Sequence, residues 1–371
     1  MNSIKKTIFI SSLFLLAMTS VFAQEEEIKS ATTFGGSADF YYRYDFANAD
    51  GNSLTSFTNS HDSFEIGMAS IEASHKMGKA SVFVDLGFGS RASEFSYTDK
   101  GDNSFMIKQL NMTYDFSPKF KVTLGGFATH IGYELVDAVD NKNYSMSYAF
   151  SRGPFLNTGV KAQYTSGKLS FMLGITNPTD FKTASEGGSN QKTFIGQIGY
   201  LAETGSAYLN FTTGSKNRNL NYFPTPIPTP IPVLTINDEN ASQIDLVLTK
   251  KINDKFSLGF NGTYAIIDND FNSIGVETVN WFSGVVYANY TFSNKLSLAY
   301  RGEYFDDKDG YNFGVDNNII ANTLSLNFKE GNFTFIPELR FDTSSEDIFQ
   351  KEDGTPKGSA ASFLFATTYS F

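Results

Sequence analysis

The sequence predicts an all-β fold: a closed, transmembrane, antiparallel β-barrel of about sixteen strands, with short turns at one end and long loops at the other. Three observations carry that expectation. Segments of roughly ten residues alternate apolar and polar side chains along most of the chain, the repeated signature of membrane-spanning strands. The connections between these segments alternate short and long. The chain ends on SFLFATTYSF, where Phe363, Phe365, Thr367, Tyr369 and Phe371 share one face and Ser362, Leu364, Ala366, Thr368 and Ser370 share the other.

Composition narrows the classes of function. A net charge of −10 argues against nucleic acid as a partner, because phosphate binding needs a basic face. Aromatic residues at 15% supply the apolar surface that disordered chains lack. Cysteine is absent, which removes disulfides, thiolate zinc sites and cysteine nucleophiles. The three histidines, His61, His75 and His130, signal no pairing with a nucleophile or a metal-ligand set. No catalytic residue, metal or cofactor is therefore expected, and the chain is read as a non-enzyme.

The first 23 residues have the plan of a secretory signal. Lys5 and Lys6 precede the apolar run IFISSLFLLAM, and Val21-Phe22-Ala23 forms a cleavage site of the A-x-A kind. The mature chain is then 24–371, with 24–32 as a short periplasmic N-terminal segment. It has no uninterrupted apolar stretch of 18 residues, so no transmembrane helix is expected.

Strands are expected at 33–46, 62–75, 80–90, 104–116, 119–129, 155–165, 168–177, 191–202, 205–214, 241–251, 255–267, 280–292, 295–305, 317–328, 332–343 and 360–371. MGK, SPK, SGK, ETG, NDK, SNK and EGN make the short turns, each bearing the Gly, Asn, Asp or Pro that tight hairpins require. Long polar connections occupy 47–61, 91–103, 130–154, 178–190, 215–240, 268–279, 306–316 and 344–359. Strict alternation gives an even strand number and puts both termini at the short-turn end, which faces the periplasm in transmembrane barrels.

Parity assigns the faces. In KLSLAYRGEYF, Leu296, Leu298, Tyr300, Gly302 and Tyr304 face lipid while Ser297, Ala299, Arg301 and Glu303 face the lumen. In KFSLGFNGTYAI, Phe256, Leu258, Phe260, Gly262, Tyr264 and Ile266 face lipid and Ser257, Gly259, Asn261 and Thr263 face inward. The segment 62–75 alternates poorly, which signals either a bulge or an error of register there. Charged residues with lumen parity are Asp39, Arg43, Asp45, Asp85, Lys121, Lys161, Asp245, Arg301, Glu303, Glu338 and Arg340. Arg301/Glu303 and Glu338/Arg340 stand at one height, two strands apart. They form either a charged belt that orients solutes or a salt-bridge network that stiffens the wall.

The connection 130–154 holds Glu134, Asp137, Asp140, Lys142 and Arg152 among Tyr133, Tyr144, Tyr148 and Phe150, an apolar content high for a loop that meets only water. The run YFPTPIPTPIPVL at 222–234 favours polyproline II and is read as a stiff loop tip. The Asp-rich stretches 306–318 and 344–354 lack EF-hand spacing and are read as solvated acidic loops.

Three segments carry a family resemblance: TFGGSADFYYRYDFANADGN with HDSFEIGMASIEA, then GYELVDAVDNKNYSMSYAFSRGPFLNTGVKAQY, then YRGEYFDDKDG with IPELRFD. Together they resemble the OmpL-like beta-barrel porin family of the bacterial outer membrane, over most of residues 33–371. Asn143-Tyr144-Ser145 and the Arg301/Glu303 and Glu338/Arg340 pairs are the most specific points. The terminal strand is likewise similar to that of Gram-negative outer-membrane barrels, in which the last aromatic, here Phe371, helps the barrel-assembly machinery recognise its client. The resemblance implies a porin in contact with outer-membrane lipid that passes small hydrophilic solutes. By analogy with general porins, the 130–154 loop is the constriction, and a homo-trimer is allowed. The rival readings are an outer-membrane barrel enzyme and an adhesive or structural barrel acting through its loops.

Overall fold

The protein is described by a computed structural model over residues 30–96, 106–182, 191–216, 239–271 and 275–371. The signal segment 1–23, residues 24–29 and the Pro-rich stretch 222–234 lie outside the described residues.

Strong period-2 patterning between turn residues produces sixteen wall strands. The first eight are β1 (Ser30–Asp45), β2 (Ser63–Met77), β3 (Ala80–Phe88), β4 (Ile107–Ser117), β5 (Phe120–Ala128), β6 (Leu156–Ser166), β7 (Leu169–Thr176) and β8 (Thr193–Ala202). The rest are β9 (Gly205–Lys216), β10 (Glu239–Lys251), β11 (Phe256–Phe271), β12 (Gly275–Ser293), β13 (Leu296–Asp307), β14 (Asn317–Glu330), β15 (Phe333–Ser344) and β16 (Ser359–Ser370). Each pairs antiparallel with its sequence neighbours. β1 also pairs with β16, from Ser37↔Ser370 to Asp45↔Ser362, so the sheet closes on itself. Closure leaves no strand edge with unpaired N–H and C=O groups, the condition for a sheet to sit in hydrocarbon. Among the described residues no helix is long and apolar enough to cross a membrane. Among the described residues helical structure is confined to short pieces of the long connections, chiefly α1 (Ser90–Phe95) and α2 (Tyr148–Arg152).

Strand limits fall within a few residues of those expected, with one clear difference. The connection expected at 268–279 is instead strand on both its flanks: β11 runs to Phe271, β12 begins at Gly275, and the two stay paired as far as Phe271↔Gly275. Its sequence, DNDFNSIGVET, lacks the apolar half of the lipid-facing pattern, so it reads as loop although the ladder continues.

The two faces invert the usual inside–outside rule. Phe34, Phe64, Ile66, Met112, Leu173 and Phe341 project outward and are exposed, whereas Asp45, Asp85, Asp245, Arg301, Glu303 and Glu338 are buried inside the barrel. Burial follows the expected parity in β13, where Ala299, Arg301, Glu303 and Phe305 are buried and Tyr300 and Tyr304 are exposed. At the long-loop end the interior is packed with apolar side chains. Tyr148 of α2 meets Trp281, Phe305, Ile319 and Ala321 of the wall there, with Leu54, Phe313 and Ile348 from neighbouring loops against them.

Register shifts beside two short turns, at Asp115/Ser117 and Thr291/Ser293, leave the faces of the wall unchanged, whereas two bulges farther from the turns depart from simple alternation. Asp39 pairs with Met68 and Phe40 with Ile66, so Gly67 is the extra residue and the outward face of β2 changes from Phe64 and Ile66 to Ala69 and Ile71. That shift accounts for the poor alternation of this segment. Asp85 pairs with Gln109 and Leu86 with Ile107, so Lys108 is the extra residue of β4 and turns into the barrel.

Gly67 is also a point of close approach. A Cβ there would stand 1.8 Å from Asp39 Oδ1 and 2.8 Å from the Tyr144 hydroxyl. Gly67→Ala is therefore expected to destabilise the barrel by about 1–3 kcal/mol. Gly126→Ala, whose new Cβ would meet nothing nearer than 3.8 Å, should change stability by less than about 0.5 kcal/mol. Urea unfolding of the refolded proteins in detergent compares the two. Equal midpoints would show that Asp39 and Tyr144 can move aside freely.

Candidate functional site

Residues 129–155 leave β5 at the long-loop end and run along the inside of the barrel. Their backbone is held by the inward side chains of successive strands. Gly132 N–H donates to Asp245 Oδ1 on β10 at 3.1 Å, and Tyr133 N–H donates to Asn261 Oδ1 on β11 at 3.3 Å. The Tyr133 ring then stacks on Tyr287 of β12, with centroids 4.0 Å apart. Glu134 meets Arg301 of β13 at 2.6 Å, both side chains buried. The loop next crosses toward β4, where Asp137 pairs with Lys108 at 2.6 Å while Lys108 also reaches Asp85 at 3.0 Å.

Its return stretch, 143–149, is fixed by the belt of wall charges. Asn143 Nδ2 donates to Ser325 Oγ at 2.7 Å. Glu338 accepts the N–H groups of Tyr144 at 2.8 Å and Ser145 at 3.1 Å. Glu303 accepts those of Tyr148 and Ala149, each at 2.7 Å. These last two are first-turn donors of α2, which have no partner within the helix. The wall bases take the complementary groups. Arg301 donates to the Ser145 carbonyl, and at 3.1 Å to the Met146 carbonyl. Arg340 donates to the same Met146 carbonyl at 2.7 Å while pairing with Asp342 at 2.9 Å. Glu134 closes the loop on itself by accepting from Ser147 N–H and Ser147 Oγ, both at 2.8 Å.

Two tyrosines complete the attachment. Tyr144 OH donates to Asp39 Oδ1 at 2.5 Å, and Tyr148 OH donates to Asp342 Oδ2 at 2.8 Å. Burial pushes both phenols well above their ordinary range, so they remain neutral donors. His130 lies at the loop's start and donates through Nε2 to the Phe211 carbonyl at 2.9 Å. Burial lowers its imidazole to about 4, so it is uncharged at neutral pH.

The remaining expected positions are placed as follows. Arg43 pairs with Asp45 at 3.4 Å and donates to the Ser60 carbonyl. Asp39 lies 3.9 Å from Arg91. Arg152 donates to the Leu54 carbonyl at 3.1 Å and covers the Phe313 ring. Lys161 sits over the Phe127 ring at 4.0 Å. Lys121 is exposed on β5, across the ladder from Gln163 of β6. Asp140 and Lys142 are exposed and border an open space of about 560 Å³ between the loop and strands β8 to β13. Phe371 projects outward, 67% exposed, and exchanges two backbone hydrogen bonds with Gly36.

Three contributors were not singled out in the sequence. Lys108 has lipid parity by counting and faces inward only through its bulge. Arg91, fully buried, reaches the Val136 carbonyl from α1, inside a connection that reads as polar loop. Asp342 shares the parity that selects Glu338 and Arg340, so the same alternation could have found it.

The family model described as Putative beta-barrel porin-2, OmpL-like, matches residues 31–371, and the chain belongs to that family. A search among curated proteins finds no match. Among solved structures, an anion-selective porin from Comamonas acidovorans is similar, with TM-score 0.61 and 11% identity over 92% of this chain and 100% of that one. OprB of Pseudomonas putida gives 0.59 and 9%, covering 92% and 94% of the two chains. OmpT, an outer membrane protein of Vibrio cholerae solved in a trimer form, gives 0.58 and 12%, covering 92% and 99%. At these identities the likeness is one of fold.

The loop's attachment through wall carboxylates has a direct consequence. Glu303→Ala or Glu338→Ala leaves two buried amides without an acceptor, at about 1–3 kcal/mol each. Hydrogen exchange followed by mass spectrometry should show at least about a tenfold loss of protection over 143–150 in either variant, with the ladder amides of β13 and β15 unchanged. Unaltered protection would mean that water replaces the carboxylates without loosening the loop.

Proposed function

We propose that this porin-family barrel forms a water-filled channel across the bacterial outer membrane for small hydrophilic solutes, narrowed by residues 130–154. The observation that carries the reading is the inversion of faces: an apolar exterior suited to lipid encloses an interior lined by charged and polar side chains. Sixteen strands enclose room for water, where eight leave space for little beyond side chains. The same reading has 1–23 removed as a signal, 24–32 and the short turns in the periplasm, residues 30–32 there being the paired first rungs of β1 rather than a separate segment, and the long loops outside. A homo-trimer fits the class, as OmpT of Vibrio cholerae has a trimer form. A barrel enzyme or an adhesive barrel is the competing reading, and neither requires ion flow. Reconstitution in planar bilayers separates them: discrete, ohmic conductance steps in KCl support the channel, and a barrel that folds and inserts without conducting sinks it.

Within this reading, Glu134, Asp137, Asp140, Lys142 and Arg152 belong to the constriction, and Asp140 and Lys142 are the two charges that border its open side. Excising 135–148 and joining the ends with a short Gly-Ser linker is expected to raise single-channel conductance. The ends to be joined lie close together, since Ser147, two positions before the retained Ala149, bonds the Glu134 carboxylate at 2.8 Å. Unchanged conductance would place the narrowest ring elsewhere.

Phe371 is the proposed assembly signal. Phe371→Ala keeps the backbone bonds to Gly36 and removes only the outward ring. Its expected effect is a several-fold fall in the outer-membrane level in cells, with little change in the heat-induced unfolding of refolded protein. Wild-type surface levels would remove the role.

A further inference from the structure

The open space beside the loop has a chemistry unlike that of the belt. Its wall comes from β8 to β13 near their short turns, where Ser206, Thr249, Ser257, Thr291 and Ser297 present hydroxyls. Deeper in, Gln197 and Asn289 present amides, while the buried Asn210 amide is held between Gln197 Nε2 at 2.8 Å and Asp245 Oδ1 at 2.8 Å. Asp140 and Lys142 on the loop are the charges of its lining, one of each sign, and His130 is neutral. Asp245 on β10, behind this wall, is buried and occupied by Asn210 at 2.8 Å, Asn261 at 2.5 Å and the Gly132 amide. An ion in this space therefore finds no net countercharge on its lining.

Aromatic rings stand at two sides of the space. Tyr133 is fixed by its stack on Tyr287. Tyr208 lies against the wall over Gly199, where a Cβ would come within 2.8 Å of its Cε1 and 2.9 Å of its Cδ1. Glycine at 199 thus lets the ring of Tyr208 lie close to the wall beside the open space.

We propose that this space is a subsite for neutral, polyhydroxylated solutes of mono- to disaccharide size, with Gln197 and Asn289 binding hydroxyls and the rings of Tyr208 and Tyr133 contacting the apolar C–H faces. The inference rests on the channel reading and names its solute class. Side-chain amides and hydroxyls both donate and accept, as a sugar hydroxyl does, so they match a polyol in many orientations. Aromatic rings supply apolar surface together with a polar tip. The volume of about 560 Å³ falls in the range of roughly 300–1,000 Å³ usual for small-molecule sites.

The test uses the full mature chain in planar bilayers, with maltose added to one side and then the other, and sodium gluconate as a charged polyol. Maltose is expected to interrupt the KCl current in a saturable way, and gluconate at the same concentration to do so much less. Tyr208→Ala and Asn289→Ala should each raise the half-saturating maltose concentration by about tenfold. KCl current with no saturable maltose effect, equal interruption by gluconate, or variants that leave half-saturation unmoved would overturn the subsite and spare the channel. Absence of KCl current from inserted wild-type barrels would overturn the channel reading itself.

Discussion

Everything in this structure depends on the seam between β1 and β16. A sheet in hydrocarbon cannot leave backbone groups unpaired, because no water is there to take them. The first and last strands of the wall must therefore meet in register, and they do so over nine rungs from Ser37↔Ser370 to Asp45↔Ser362. The seam is finished by the chain's last residue, whose N–H and C=O both bond Gly36. Once the sheet is closed, its two faces meet different surroundings, and the period-2 sequence divides into an apolar exterior and a polar interior.

The interior then presents a problem that an open polar channel would not have. The belt side chains Arg301, Glu303 and Glu338 are almost wholly withdrawn from water, and burying charges is costly unless they are paired and hydrogen-bonded. The loop solves this with its own backbone. Its amides go to Glu303 and Glu338, its carbonyls go to Arg301 and Arg340, and Glu134 neutralises Arg301 at 2.6 Å. Belt and loop are each unsatisfied without the other. A carboxylate that accepts two adjacent N–H groups also fixes direction, so α2 can sit against β13 in only one orientation.

Much of this was legible in the sequence, for physical reasons that can be named. Strand number, strand limits and face assignment followed from alternation, because lipid on one side and water on the other leave little freedom at each position. Glu338 and Arg340 were visible by the same rule. Lys108 was not, because a one-residue bulge reverses parity and nothing in IKQLNMTY marks it. Gly67 left a trace, as the alternation of 62–75 fails there. Arg91 was illegible, since a short helix inside a connection carries no periodic signal. The high aromatic content of 130–154 was readable as a sign of burial, but not which wall residue each group would meet. Those partners, such as Glu338 for Tyr144 and Ser145, lie nearly two hundred positions away in the chain.

The pairing also determines what a solute could encounter. Charges usually govern passage through a narrow pore because low-dielectric walls strengthen them. Here most of the interior charges are already committed: Glu134 to Arg301, Asp137 and Asp85 to Lys108, Asp342 to Arg340, and Glu303 and Glu338 to backbone amides. Asp137 illustrates the consequence. By sequence it is one of three acids set against two bases in this loop, but in the fold its carboxylate lies against Lys108 and Ser70. What remains beside the open space is one acid, Asp140, one base, Lys142, and a wall of hydroxyls and amides. The charged residues of this barrel thus act chiefly on the protein's own loop, and the surface left facing the open space is the neutral one.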